Sequence, residues 1–363
     1  MPLKNPVVMA LCAALAGALA VTPAAGAAAG AAAPWSAPAS SAVIREEKTF
    51  SNAGATLSGT LYAPVSRGKV PAVVVFHGAS EPSRDSELYR HLIQMLPPLG
   101  IAVLVFDRRG SGKSVGARNN GDFDMLADDG VAAARMLARD PRIDPKRIGF
   151  WGLSQGGWLS LLAAAHSPPA AFAIAVSAPL TTADVQMSFA AANILRIDGY
   201  SQADIDQAVA ARTALDDFER GKLDRATAQA RIDAAAKKPW FDLIYLGKTF
   251  HDPAQSDWAR QMRNDPLKTL DKVKIPTLII YGAADPWVPV AVSVKALRAS
   301  AAQHPNITTA VVAGADHEMS LTTSPKDEID PAGFAKLAPD SAEYFALLAS
   351  WLTAHGLTRG PGS

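Results

Sequence analysis

The sequence predicts an α/β protein with a doubly wound, mostly parallel β-sheet and a helical insertion. Short runs of β-branched and aromatic residues recur along the chain, and they are continuous, as in strands buried on both faces. Segments with helical periodicity separate these runs, which is the pattern of a parallel sheet covered by crossover helices. Between Pro179 and Lys274 the alternation stops and only helical patterns occur, which indicates an insertion.

The first 33 residues are expected to lie outside the fold. Lys4 supplies a short positive region, residues 7–20 an apolar stretch, and Ala25 to Ala27 the small residues that suit cleavage. A retained membrane anchor would need roughly 20 strongly apolar residues, whereas the second half of this run is mostly Ala and Gly. We therefore expect residues 1–33 to be a removed signal peptide and the protein to be exported, periplasmic or secreted, with no membrane span afterwards.

The only cysteine, Cys12, lies inside this predicted signal. The mature chain would then have no thiol and would need no disulfide, which fits a domain large enough to be stabilised by its core.

The core is expected to begin after a leader, residues 34–54, in which Pro, Ser and Ala run into charged residues. The first part of the core comprises residues 55–179. Its predicted strands are 55–62, 70–76, 101–106, 147–151 and 172–177. Its predicted helices are 84–96, 123–139 and 156–166.

Residues 180–270 form the predicted insertion, a helical lid over one edge of the sheet. Its helical patterns cover 184–196, 202–212, 214–220, 224–237 and 254–263, and Ser201 to Asp204 form a capping-box start. Its aromatic residues either line an apolar pocket or pin the lid to the sheet, and both readings remain open: Trp240, Phe241, Tyr245 and Trp258. We expect the lid to select substrate while the reacting groups come from the sheet alone.

The second part of the core comprises residues 271–355, followed by a tail at 356–363. Its predicted elements are strands 277–281 and 308–312 and helices 290–302 and 341–354.

Composition argues against several functions. The formal net charge is +1 and no basic stripe is present, so nucleic acid is not an expected partner. The seven histidines are scattered without H-E-x-x-H spacing, so neither a metal nor another cofactor is expected. Composition leaves the oligomeric state open.

Residues 107–114, "DRRGSGKS", resemble the end of a phosphate-binding loop. The full pattern requires its first glycine at the position of Asp107, and turn residues rather than a helix follow the stretch. A nucleotide site is therefore not expected here.

The stretch from Gly152 to Gly156 reads G-x-S-x-G, and a strand precedes it and a helix follows. A strand, a sharp turn and a helix are what a nucleophile elbow requires, because glycines allow the strained backbone of the serine. We expect Ser154 to be a nucleophile rather than a helix N-cap.

A serine nucleophile requires a base and an orienting acid near the carboxyl ends of later strands. Asp285 follows the strand at 277–281, and His317 follows the strand at 308–312. The chain order Ser, Asp, His is the one used on such sheets. Asp316 adjoins His317, but adjacent side chains diverge, so it is not expected to orient the imidazole.

Backbone donors are also needed for the oxyanion of an acyl-transfer intermediate. The N–H of Gln155, directly after the nucleophile, is one candidate. The second is the N–H of Ala79, in the loop after the strand at 70–76, where His77 is expected to be structural.

These motifs together resemble those of the α/β-hydrolase superfamily, specifically secreted bacterial serine hydrolases grouped with carboxylesterases and serine aminopeptidase-like enzymes. The matching pieces are "HGASEPSRD", "DRRGSGKSVG", "GLSQGGW", "YGAADPWVP" and "GADHEM". The resemblance covers roughly 55–178 and 270–355 and implies the α/β-hydrolase fold with the Ser154, Asp285 and His317 triad. In this family the "DRRGSGKS" stretch is similar to a D-x-R-G-x-G-x-S loop beside the active site.

The leading functional prediction is an exported esterase that cleaves small or medium acyl esters through an acyl-serine intermediate. A peptidase acting on short peptides would need an anchor for a free amine, for which Asp216, Asp217 and Glu219 are candidates. A thioesterase and a non-catalytic binding protein are the remaining alternatives, and export disfavours the thioesterase.

Overall fold

A computed structural model describes residues 42–79, 82–118, 120–166, 170–321, 324–330 and 340–358. The predicted signal peptide lies outside these ranges. None of the helices in the described residues combines the length and the apolar character that crossing a bilayer requires.

The core is one eight-stranded sheet in the order β1-β2-β4-β3-β5-β6-β7-β8. Its strands are β1 (Val43–Asn52), β2 (Ala55–Pro64), β3 (Val70–Phe76), β4 (Ala102–Phe106), β5 (Ile143–Leu153), β6 (Ala173–Val176), β7 (Thr277–Gly282) and β8 (Ile307–Val312). The β1–β2 and β2–β4 pairs are antiparallel, and every other pair is parallel. The predicted α/β-hydrolase fold is confirmed.

Helices cover the sheet and fill the connection between β6 and β7. They are α1 (Arg90–Met95), α2 (Phe123–Leu137), α3 (Gln155–His166), α4 (Ala183–Ile197), α5 (Gln202–Glu219), α6 (Arg225–Ala235), α7 (Asp257–Gln261), α8 (Pro266–Leu270), α9 (Val290–Ala299), α10 (Pro325–Ile329) and α11 (Ala342–Ala354). Short 3-10 helices cover Glu87–Tyr89 and Phe241–Ile244.

Apolar side chains form three separate clusters. Two of them lie on the sheet and include alternate residues of the same strands, such as Val74 in one and Val73 in the other. Successive side chains of a strand point to opposite faces, so these two clusters are the layers above and below the sheet. The third cluster belongs to the residues between β6 and β7, with Trp240 and Ile205 among its buried members. The connection therefore has a hydrophobic core of its own.

Strand β1 is absent from the sequence-based prediction, which placed residues 34–54 in a leader. Its residues alternate between exposed and partly buried, and they pair with β2 from Val43 to Asn52. Charged residues in this strand form ion pairs, Lys48 with Asp140 and Glu46 with Arg142. An edge strand protected by charge lacks the apolar run that identifies an inner strand, and this is why the pattern was missed.

Other boundaries also differ from the prediction, and the helix predicted at 84–96 is a 3-10 helix at Glu87–Tyr89 followed by α1. β5 begins at Ile143 rather than at Arg147, because the strand continues through Pro145 with a register shift against β3. Residues 202–219 form one helix where two were predicted.

Candidate active site

Ser154 lies at the sharp turn between β5 and α3. Its backbone φ is +57°, which is a left-handed conformation. Residues with a side chain rarely adopt this conformation, because it costs energy for any residue except glycine. Its N–H donates to the carbonyl of Val176 at the end of β6 (2.8 Å), which ties the turn to the neighbouring strand. The turn places Ser154 at the carboxyl edge of the sheet, half-buried, at the N-terminus of a helix.

Two glycines make this turn sterically possible. A Cβ on Gly152 would lie 1.9 Å from the carbonyl oxygen of Gly156, and a Cβ on Gly156 would lie 2.4 Å from the carbonyl oxygen of Phe76. The G-x-S-x-G spacing therefore reflects the close approach of α3 to β5 and β3.

His317 and Asp285 form a buried pair at the same edge. The Nδ1 atom of His317 lies 2.8 Å from Oδ2 of Asp285, and both residues are more than nine-tenths buried. The other carboxylate oxygen, Oδ1, accepts the N–H groups of Trp287 (2.8 Å) and Val288 (3.0 Å). A carboxylate at Nδ1 favours the tautomer with its proton there, which leaves Nε2 free to accept a proton.

The charge of Asp285 also sets the basicity of His317. Burial acts to lower the pKa of His317, but the charge and hydrogen bond of Asp285, together with the charges of Glu318 and Glu328, outweigh burial, so this pKa lies above its ordinary value of 6.5. No hydrogen bond joins Ser154 to His317 among the described residues. Such contacts are often loose in the absence of substrate.

The loops after the four last strands are joined at this edge by backbone contacts. The N–H of Ser177, after β6, donates to the carbonyl of Ile280 in β7 (2.8 Å), and the N–H of Ala284 donates to Ala315 (2.9 Å). The loops that carry Ser154, Asp285 and His317 thus follow β5, β7 and β8 at the same edge of the sheet, and β6 lies between the first two of these strands.

The loop after β3 lies directly against the nucleophile turn. A Cβ on Gly78 would lie 3.9 Å from Cβ of Ser154, so the next residue, Ala79, is close to the serine. The N–H groups of Gln155 and Ala79 have no acceptor among the described hydrogen bonds.

Arg108 stabilises the loop after β3, and no pattern in the sequence predicts this role. Its Nη2 donates to the carbonyls of His77 and Gly78, at 3.1 Å each, and the side chain is 3% exposed. The hydroxyl of Tyr89 accepts the N–H of Gly78 (3.0 Å). Burial, followed by the charge of Arg108, lowers the pKa of His77 to about 3, so His77 is neutral and packs against its neighbours.

The "DRRGSGKS" stretch folds around the carboxylate of its first residue, Asp107. Asp107 accepts the N–H groups of Arg84 (3.0 Å) and Lys113 (2.8 Å). A Cβ on Gly112, at φ +50°, would lie 2.4 Å from the Asp107 carboxyl carbon, so glycine is required there. Within this stretch the N–H of Lys113 thus donates to Asp107, and the N–H groups of Ser111 and Ser114 donate to backbone carbonyls of the loop.

Carboxylates surround the backbone of His317 on one side. Within the described part of the chain, Asp316, Glu318 and Glu328 form the group that could share a cation, with one ligand atom each, all within 4.8 Å. Burial raises the pKa of Asp316 to about 7 and that of Glu328 to about 9. With no cation bound, part of this cluster is therefore protonated at neutral pH. Glu328 also accepts the N–H of His317 (3.3 Å).

The four aromatic residues of the insertion differ in burial and in their contacts. Trp240 and Phe241 are buried inside its own core, so neither lines a pocket, and Trp258 donates to Asp216 (2.8 Å). Tyr245 differs, because it is 41% exposed, has a left-handed backbone (φ +52°) and contacts the ring of Trp287 edge-on at 5.4 Å.

The acidic residues considered as an amine anchor are also engaged. Asp216 and Glu219 are buried, and Glu219 accepts the hydroxyl of Ser256 (2.7 Å). Asp217 is half-buried on the same helix. Asp216 and Glu219 therefore belong to the interior of the insertion and do not provide the proposed anchor.

Comparison with known proteins identifies the family. The family model described as serine aminopeptidase, S33, matches residues 69–322, well over half of the chain. The uncharacterised protein Rv2307c of Mycobacterium tuberculosis is 29% identical over 208 residues, which cover 56% of this chain and 71% of that protein. The polyketide transferase ATR5 of Stachybotrys chlorohalonatus is 36% identical over 139 residues, 38% of this chain and 46% of that one.

Solved structures agree on the fold. The esterase Pf2001 of Pyrococcus furiosus has a TM-score of 0.52 at 17% identity and covers 86% of this chain and 90% of its own. The acylaminoacyl peptidase of Pyrococcus horikoshii has a TM-score of 0.54 at 15% identity and covers 90% of this chain and 44% of its own. The chain belongs to the S33 serine aminopeptidase family and is a serine hydrolase of the α/β-hydrolase fold.

Proposed function

We propose that this member of the S33 family is a carboxylic ester hydrolase that cleaves small or medium acyl esters through an acyl-serine intermediate. The observation that carries the proposal is the buried Asp285–His317 pair on the same sheet edge as Ser154, whose backbone is held in a strained turn. In this proposal Ser154 is the nucleophile, His317 the general base and acid, and Asp285 the residue that orients the imidazole.

The reaction follows from this arrangement in two halves. Oγ of Ser154 attacks the ester carbonyl carbon while Nε2 of His317 takes the hydroxyl proton, and the oxyanion accepts hydrogen bonds from the N–H groups of Gln155 and Ala79. Collapse breaks the bond to the leaving oxygen, which departs as an alcohol with the proton from His317. A water then repeats the attack on the acyl-serine, releases the carboxylic acid and restores Ser154.

The exposed ring of Tyr245 supports an apolar acyl or alcohol site next to the acid loop. Tyr245 contacts Trp287, which follows Asp285 by two positions and donates its N–H to that carboxylate. Strained backbone in a residue with an exposed aromatic side chain is typical of ligand-binding positions.

Cleavage of an aminoacyl bond is the second candidate. Glu318, directly after His317, is half-buried at the site, and a carboxylate there favours a substrate with a positive amine. The family description points in the same direction.

A substrate screen tests the choice. p-Nitrophenyl esters of increasing acyl length, aminoacyl p-nitroanilides and a simple acyl thioester would be compared by kcat/KM with wild-type protein. The ester proposal predicts the highest values for esters of short or medium length. Higher values for the anilides would replace it with the peptidase, and the thioester arm tests the activity that the name of a 35% identical relative, a thiohydrolase of Arthrinium phaeospermum, suggests.

We further propose that the protein is exported, on the basis of the charge, apolar run and small residues in its first 33 positions. Mass spectrometry of the native protein should find an N-terminus between about Ala25 and Pro34. An intact Met1 in protein from the cytoplasm would contradict export.

A further inference from the structure

The first helix of the insertion contacts the loop that carries Asp285. In α4, Nδ2 of Asn193 donates to the carbonyl of Pro286 (3.0 Å), and Nε2 of Gln186 donates to the carbonyl of Trp287 (2.8 Å). The two residues are seven positions apart, two turns of helix, so they lie on one face of α4.

The two carbonyls belong to the same peptide groups that hold the Asp285 carboxylate. The peptide between Pro286 and Trp287 accepts Asn193 at its oxygen and donates its N–H to Oδ1 of Asp285. The next peptide accepts Gln186 at its oxygen and donates the N–H of Val288 to the same Oδ1. A peptide group is planar, so fixing its carbonyl direction also fixes its N–H direction.

We infer that Gln186 and Asn193 are positioning residues that orient the catalytic carboxylate through these two peptide groups. This rests on the proposed role of the Asp285–His317 pair. Hydrogen bonds in series also polarise one another, so an amide at each carbonyl strengthens the N–H bond to Asp285. On this inference the insertion helps to position Asp285, whereas the sequence-based expectation gave the insertion no part in the reacting groups.

The two oxygens of the Asp285 carboxylate have different partners. Oδ1 is held by the loop and, through it, by α4, whereas Oδ2 faces Nδ1 of His317. Loosening α4 would let the Oδ1 side turn and would lengthen the contact with His317. The base would then be less well aligned and less basic.

Variants that remove the donors test the inference. Gln186→Met and Asn193→Leu, made singly and together, remove the amide donors but keep side chains of similar size. Gln186→Glu keeps the shape of the Gln186 side chain but replaces its donor with an acceptor. Gln229→Met is the matched control, because that amide also donates to a backbone carbonyl, of Lys248 (2.8 Å), but within the insertion. Kinetics with a p-nitrophenyl ester, thermal unfolding and the pH profile of kcat/KM would be measured for each folded protein.

The double variant is expected to lose about 10- to 100-fold in kcat, the scale of a small misplacement of a catalytic group, with KM little changed. The acidic limb of its profile should move to lower pH, because Asp285 would raise the pKa of His317 less. The other groups near His317 are Asp316, Glu318 and Glu328, which all variants retain. Gln186→Glu should resemble Gln186→Met in kcat, and Gln229→Met should resemble the wild type.

A folded double variant with wild-type kcat and an unmoved acidic limb would overturn the inference, whether or not its unfolding temperature fell. The proposed function fails in a different way: the wild-type protein would then hydrolyse anilides or thioesters faster than esters, or none of these substrates at all. If the double variant does not fold, the two single variants and Gln186→Glu decide in its place.

Discussion

The sheet edge and the helical insertion hold their side chains by different means. At the edge, backbone geometry places Ser154 in a turn enforced by two glycines, and the ends of two other strands place Asp285 and His317 in contact with each other. The insertion folds on its own core around Trp240 and reaches the edge through a few side chains of α4 and through Tyr245. The side chains of the edge are thus placed by short local motifs. The orientation of these side chains depends in addition on contacts between distant parts of the chain.

Asp285→Asn should lower the activity more than any other substitution proposed for these two regions. Asn keeps an oxygen for the N–H groups of Trp287 and Val288, but its NH2 group cannot accept the Nδ1 proton of His317. The imidazole of His317 would then favour the tautomer with its proton on Nε2, which cannot accept the serine proton. We therefore expect kcat to fall by about 10⁴-fold. Asp271→Asn is the control, because Asp271 pairs with His304 (3.3 Å) elsewhere in the fold. Equal activity of the two variants would break the assignment of the acid.

Trp240→Ala should affect stability rather than chemistry. The ring is fully buried in the insertion core and donates to Asp204 (3.1 Å), so its loss should cost about 3–5 kcal/mol. Hydrogen exchange should accelerate in α4 to α6, while the strands of the sheet remain protected. Trp240→Phe, which keeps a ring, should lose less. Exchange that accelerates equally in the sheet would show that the two regions are one cooperative unit.

The pH dependence of kcat/KM tests the electrostatics of the edge. His317 must be neutral to accept the serine proton, so activity is lost as pH falls through its pKa. Because Asp285 raises this pKa, the acidic limb should have its midpoint above 6.5. A midpoint below 6.5 with a stable fold would mean that burial, not Asp285, dominates at His317.

Much of the edge was predictable from sequence because its signals are local. The place of Ser154 between a strand and a helix follows from the glycine spacing, and the places of Asp285 and His317 after strands follow from the apolar runs before them. Strand β1 escaped prediction because its charges hide the strand pattern. The burial of Trp240 and of Asp216 escaped because composition does not tell which face of a helix meets the insertion core.

The positioning side chains were beyond sequence reasoning for a different reason. Arg108 contacts a loop 30 residues away, and Asn193 contacts a carbonyl 93 residues away. Their partners are backbone carbonyls, which carry no residue-type signal. Only the folded arrangement brings these donors and acceptors together.

Covalent labelling tests the central claim, that Ser154 is the activated nucleophile of this edge, most directly. Native protein would be treated with a fluorophosphonate, digested and mapped by mass spectrometry, with Ser154→Ala and heat-unfolded protein as controls. The account predicts one adduct, on Ser154, that is absent from both controls. An unlabelled Ser154 in folded protein, or an adduct on another serine that persists in Ser154→Ala, would contradict it.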